Sequence, residues 1–190
     1  MKKTILKKIK NKPKSWSKLP DRSNTPFLFK NAIHKNYCIF FNEITTGQVD
    51  KRLFLGKSKV KANNKIIFAV LNSVITYIGM ELIGRTNLGE GALDVNVIDY
   101  KKIPILDPVW LEVKLSKVGK LDEFLSDVDK LLLLKPLNIE DEIKNEIRQK
   151  IEFIMLKMLG LNKKEIKQLY SDLLDLVNLR EGRARSFKKT

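Results

Sequence analysis

Apolar residues recur along this chain in two rhythms. Near the C-terminus, Ile166, Leu169, Tyr170, Leu173, Leu176 and Val177 are spaced by three or four, which predicts a helix over Lys163–Leu179 with one buried face. Before it, Ile143, Ile147, Ile151, Ile154 and Met158 predict a second helix over Glu140–Leu159. Gly160 stands where a helix ends in the left-handed region. Asn162-Lys-Lys-Glu165 is a capping-box pattern, flanked by Leu161 and Ile166 as a hydrophobic staple. These segments read as an αα-hairpin. Leu121–Leu134 reads as a further helix, stopped by Pro136. The tail Arg180–Thr190 is basic and expected to fray.

The first half changes rhythm. Tyr37–Ile44 and Arg52–Val60 are β-branched and aromatic, so they predict short strands, the second broken at Gly56. Asn63-Asn64 offers an N-cap for an apolar helix over Lys65–Ile83. The stretch Ile66–Ile83 is the most membrane-like in the chain. Asn72, Ser73, Thr76 and Glu81 inside it favour a buried core helix. Gly84–Gly91 holds three glycines in eight residues and reads as a loop. Leu93, Val95 and Val97 then alternate with polar residues as a half-buried strand. Pro104 and Pro108 punctuate the end of this unit, with Pro108 expected to close an extended segment.

The expected fold is α+β: a small mixed domain over residues 36–108, followed by a helical module over 109–190 that ends in the αα-hairpin. Residues 1–35 read as an arm interrupted by Pro13, Pro20 and Pro26.

Charge sharpens this division. Of 37 Lys+Arg and 22 Asp+Glu, residues 1–66 carry 17 and 3, a net of +14. The rest carries 37 − 17 = 20 and 22 − 3 = 19, a net of +1. A concentrated basic field attracts polyanions, because phosphates release condensed counterions when neutralised. Nucleic acid is the expected partner class, with no membrane and a cytoplasmic location. Cys38 and His34 are the only residues of their kinds, which excludes a disulfide within the chain and cysteine-rich zinc sites. Cys38 itself reads as a small core residue.

From Leu71-Asn-Ser73 through Glu81-Leu-Ile-Gly-Arg-Thr-Asn-Leu-Gly-Glu-Gly-Ala-Leu93 to Asp99-Tyr-Lys-Lys-Ile-Pro-Ile-Leu-Asp-Pro108, the chain resembles a known family. It is similar to the C-terminal specificity region of gamma-class N6-adenine DNA methyltransferases of restriction-modification systems. The helical hairpin, with Leu159-Gly-Leu161, Glu165 and Arg183-Ala-Arg-Ser186, extends the resemblance. Lys157 departs from it, standing where the family usually has a carboxylate.

The resemblance implies a target-recognition domain for double-stranded DNA. The catalytic half is missing: there is no Gly-rich cofactor loop, and Asp107-Pro-Val-Trp110 lacks the second proline of the family's catalytic tetrapeptide. The chain is therefore expected to hold no catalytic residue, metal or cofactor. S-adenosylmethionine and the methyltransferase domain are expected on a separate or lost chain. The alternative is a basic accessory or assembly protein that binds nucleic acid without sequence choice.

Two groups of residues are candidates for DNA. Lys30, Lys35, Lys57, Lys59 and Lys61 would contact phosphates. Arg85, Thr86, Asn87, Gly89, Glu90 and Gly91 would form a DNA-facing loop whose glycines let the backbone approach the duplex. The competing expectation for that loop is a helix-to-strand connection with Arg85 and Glu90 paired across it. Glu140-Asp141-Glu142 sits at a helix start, where the macrodipole favours carboxylates.

Overall fold

Aromatic side chains on short extended segments begin the fold. The computed structural model describes residues 25–42, 52–86 and 91–187. Strand β1, Phe27–Lys30, lies between β3, Phe40–Phe41, and β4, Leu53–Gly56, in an antiparallel sheet. The register sets Phe27 opposite both Phe41 and Gly56. Gly56 is needed where it stands, because the ring of Phe29 fills the space a Cβ would take. A second pair joins β2, Ala32–Ile33, to β5, Leu93–Asp94. Two of these strands, β1 and β2, fall inside the segment expected to be an arm. Of the strand expected over 37–44, the described residues place only Phe40–Phe41 in a strand, as β3, while Tyr37 and Ile39 are buried outside it.

Helices build the rest. Asn63 caps α1, Asn64–Leu71, by accepting a hydrogen bond from the Lys65 amide at 2.9 Å. The single helix expected over 65–83 is instead two, bent by 53°. The reason is Asn72, whose amide donates to the carbonyls of Phe68 and Ile39 and whose oxygen accepts from the Ile39 amide. Ser73 then caps α2, Val74–Ile83. Ile66, Val70, Val74 and Met80 of this pair are completely buried. Among the described residues no single helix is long and apolar enough to cross a membrane; only this bent pair passes by length and composition.

Val97 does not continue the strand before it. Asn96 and Asp99 form a reciprocal capping box that starts a short helix, α3, Val97–Tyr100. Pro108 does not close an extended segment either. It is the first residue of α4, Pro108–Lys117, where its missing N–H costs nothing, and Asp107 caps the helix through the amides of Val109 and Trp110. Helix α5 spans Leu121–Leu132.

The helix expected over 140–159 is also divided, into α6, Ile139–Glu142, and α7, Glu146–Met158, with Asn145 as the new cap. Gly160 adopts φ +88° at the turn after α7. The box at Asn162 forms as expected. Asn162 Oδ1 accepts from the Lys164 and Glu165 amides, and Glu165 Oε2 accepts from the Asn162 amide at 2.7 Å. Helix α8, Lys163–Phe187, runs well past Leu179.

The architecture is α+β. One cluster of buried apolar residues extends from Phe27 and Ile39 through Ile66, Val70 and Leu111 to Ile151 and Val177. Helix α2 packs along α8, and α5 packs along α7.

Candidate nucleic-acid interface

The structure separates the candidate cations into two kinds. Lys30 turns inward, donates to the Asn36 carbonyl at 3.1 Å and to its side chain, and lies over the Phe40 ring at 5.1 Å. Burial lowers the pKa of its ammonium. Lys35 is held by Glu140 at 2.5 Å and Glu181 at 3.6 Å, and the hydrogen bond to Glu140 raises its pKa. Neither is placed to meet a phosphate while these contacts stand.

Lys57, Lys59 and Lys61 differ. They lie on the connection from β4 to α1, all three exposed, with no carboxylate partner among the described residues. The local backbone is braced by Ser58, whose hydroxyl accepts from the Val60 amide and donates to its carbonyl. The end of the segment is pinned where the Asn63 amide donates to Glu112 at 2.9 Å. Three lysines within five residues of this braced segment place several cations on one stretch of surface.

The loop candidates also divide. The Arg85 backbone exchanges two hydrogen bonds with Asp94, at 2.9 and 2.7 Å, extending the β2–β5 pair by one bridge. Its guanidinium reaches Asp99 at 3.0 Å and Asp94 at 3.5 Å. Asp99 uses the same oxygen to accept from the Asn96 amide, so Arg85 is docked on the capping box of α3. The carboxylates facing Arg85 are thus Asp94 and Asp99. The expected partner Glu90 lies outside the described residues, as do Asn87 and Gly89. Thr86 is exposed.

Gly91 needs correction as a DNA-facing residue. It is buried at φ +74°, and an added Cβ would meet the Ala184 side chain at 3.1 Å. Its glycine character serves helix packing.

Two arginines that the sequence did not single out hold this region together. Arg180, in the expected frayed tail, is only 5% exposed. Its Nε donates to Glu81 at 3.0 Å, and its other nitrogens donate to the carbonyls of His34 and Gly91 and to the Tyr37 hydroxyl. Tyr37 also donates to Glu81. Burial opposes the charge on Arg180, but its hydrogen bonds to Glu81 and Tyr37 leave its pKa raised. This one side chain ties α8 to α2, to the end of β2 and to the C-terminal end of the 84–91 loop.

Arg148 does the same for α7. It is 2% exposed, lies over the Tyr77 ring at 5.3 Å, and pairs with Glu142 at 3.3 Å and Glu152 at 3.6 Å. Glu152 is completely buried, accepts from the Val74 amide at 3.1 Å, and has its pKa pushed up to about 7 by that burial, against the pull of Arg148. The only available signal was spacing: Arg148, Ile151, Glu152 and Met155 form a stripe at three and four, rotated from the all-apolar one.

Cys38 is half-buried, and burial pushes its thiol up to about 11, which keeps it protonated. Among the described residues no group of three or more His, Cys, Asp or Glu could hold a metal ion.

No protein-family model matches the chain, and no curated protein or solved structure is significantly similar to it.

Proposed function

We propose that the chain is the target-recognition module of an adenine-specific DNA methyltransferase system. It would bind duplex DNA and leave methyl transfer to a partner domain that holds S-adenosylmethionine. The observation that carries this reading is the exposed Lys57–Lys61 segment, whose three ammonium groups have no use inside the described fold. Such groups are suited to phosphate, which repays them through counterion release. The resemblance, which runs from about Ser15 onward and is strongest over residues 66–108, supplies the duplex and the methyltransferase. Arg85 supports it too: carboxylates hold its guanidinium at the foot of the 84–91 loop, so a base edge would meet a fixed donor.

The same contacts favour a second reading. An arginine committed to Asp94 and Asp99 is a poor reader of bases, and lysines alone give affinity without sequence choice. In that case the protein is a basic accessory factor.

Selection from a randomised duplex pool, with any methyltransferase partner added, separates the two. The first reading expects an enriched motif that Arg85→Ala blurs at one position, costing about 1–3 kcal/mol there. Equal recovery of all sequences by both proteins would leave only the accessory reading.

A further inference from the structure

A cavity of about 260 Å³ opens between β3, α1 and the connection from α5 to α6, away from the lysine segment. Its walls carry three aromatic rings, Phe40, Phe41 and Phe68, facing leucines from the end of α5. Its polar lining comes from Asn72, Glu142, Asn145 and Arg148. Most of those polar atoms are already engaged. Asn72 is saturated by Ile39, Phe68 and Tyr77, and Arg148 is ion-paired with the two glutamates.

Two atoms are not. Glu142 Oε1 accepts from Tyr77 at 3.1 Å and is ion-paired with Arg148 Nε at 3.3 Å, but its Oε2 has no partner among the described residues. Asn145 Oδ1 caps α7 through the Arg148 amide, but its Nδ2 likewise has none. Glu142 and Asn145 are three residues apart around the turn between α6 and α7, so the cavity is lined by one unused acceptor and one unused donor. Lys135 lies at the same cavity, exposed and without an ion-pair partner among the described residues.

An apolar occupant would strand both unused atoms without a hydrogen-bond partner. A leucine or phenylalanine from a protein partner is such an occupant. A planar heteroaromatic ring with a donor beside an acceptor satisfies both atoms and stacks on the phenylalanines. We propose that this cavity binds a nucleobase, which donates an amino or ring N–H to Glu142, accepts from Asn145 and directs its phosphate toward Lys135. The base comes from a free nucleotide or from an unpaired position in a strand. This site does not depend on the duplex-recognition reading, since it shares no residue with the Lys57–Lys61 segment.

Cys38 lines the cavity and is the only cysteine. Because burial keeps its thiol protonated at neutral pH, alkylation is followed over hours at pH 9, where the small thiolate fraction reacts and an occupant slows it. The full chain is treated with iodoacetamide in the presence of adenosine, guanosine, cytidine or uridine monophosphate. Parallel reactions contain a DNA hairpin closed by a non-nucleotide linker and carrying one unpaired base, the same linker-closed hairpin fully paired, or indole as a mimic of an aromatic side chain. At least one nucleotide should slow alkylation saturably. Glu142→Gln should raise the half-protecting concentration about tenfold through the lost charged acceptor. Leu134→Trp, at the partly exposed edge, should abolish protection while the circular dichroism spectrum stays unchanged. If Glu142→Gln does not fold, Leu134→Trp and Lys135→Ala carry the test, the latter weakening nucleotides but not nucleosides.

Protection by the unpaired hairpin alone assigns the base to a strand, and protection by mononucleotides alone assigns it to a free nucleotide. Either result supports the site. Protection by none of the nucleic-acid probes overturns it. So does indole matching the best nucleotide, or Leu134→Trp leaving protection intact. Duplex affinity without protection would overturn this site and leave the duplex reading standing.

Discussion

The lysines of α5 and α7 and those between β4 and α1 are chemically alike and are used in opposite ways. Lys150 bridges Glu123 at 2.9 Å and Asp127 at 2.7 Å, while Lys120 and Lys130 reach the same two carboxylates from α5 and its N-cap. Lys120, Lys130 and Lys150 are each answered by a carboxylate within the fold. Lys57, Lys59 and Lys61 have none among the described residues. The difference is one of composition: residues 67–190 carry nearly as many acids as bases, whereas residues 1–66 carry 17 bases and 3 acids. Where carboxylates stand within reach, as around Lys150, cations become part of the structure. Where they are scarce, the charge remains available to an outside anion.

The sharpest way to break that contrast is to remove an inward cation. Arg180→Ala should destabilise the protein by about 3–5 kcal/mol in urea titration, because Glu81 and two carbonyls lose their buried partner. Duplex affinity per folded molecule should not change. A loss under about 1 kcal/mol would mean that water replaces the guanidinium, and the hub would not be structural.

The next effect is in pH. Glu152 has a folded pKa near 7 against an unfolded value of 4.5, so the folded state binds its proton more tightly. Its stabilising contribution is full below pH 4.5 and is lost as pH rises through about 7, a swing of about 3 kcal/mol. Denaturant midpoints for wild type and Glu152→Gln between pH 4.5 and 8 check this. The wild-type midpoint should fall relative to the variant as pH rises, and parallel curves would count against it.

Capping predicts a smaller change. Asn162→Ala should cost about 1 kcal/mol through the lost cap on α8. It should leave DNA affinity per folded molecule as it was, since the hairpin presents paired charge and a buried stripe.

These effects also mark what is legible in the sequence. Asn63, Gly160 and the box at Asn162 can be read because a cap is a local device, with donor and acceptor a few residues apart. Leu173 and Val177 can be read from period alone. The break at Asn72 cannot, because its cause is a pair of hydrogen bonds to Ile39, distant in sequence. Asp107-Pro108 carries a legible start signal, an N-cap and then proline at the first turn, yet beside Pro104 it passes for an ending. Strands β1 and β2 are hidden by the prolines before them. Arg148 and Arg180 are hidden by the rule that charge lies outside, which fails when carboxylates from other elements converge. Of the candidate site, the exposure of Lys57, Lys59 and Lys61 accords with local composition. The inward turn of Lys30 and Lys35 depends on Asn36 and Glu140, which only the fold brings to them.

Removing the outward cations should barely affect folding, within about 0.5 kcal/mol, because they make no ion pair among the described residues. Their use lies elsewhere, and the salt dependence of duplex binding measures it. The full chain and a Lys57→Ala, Lys59→Ala, Lys61→Ala variant are titrated against one duplex from low to physiological salt. If all three lysines meet phosphates, the variant's plot of log K against log salt should be shallower by about 0.9 per contact, nearly three in all. A variant that folds normally and binds with the wild-type affinity and slope would contradict the account at its centre.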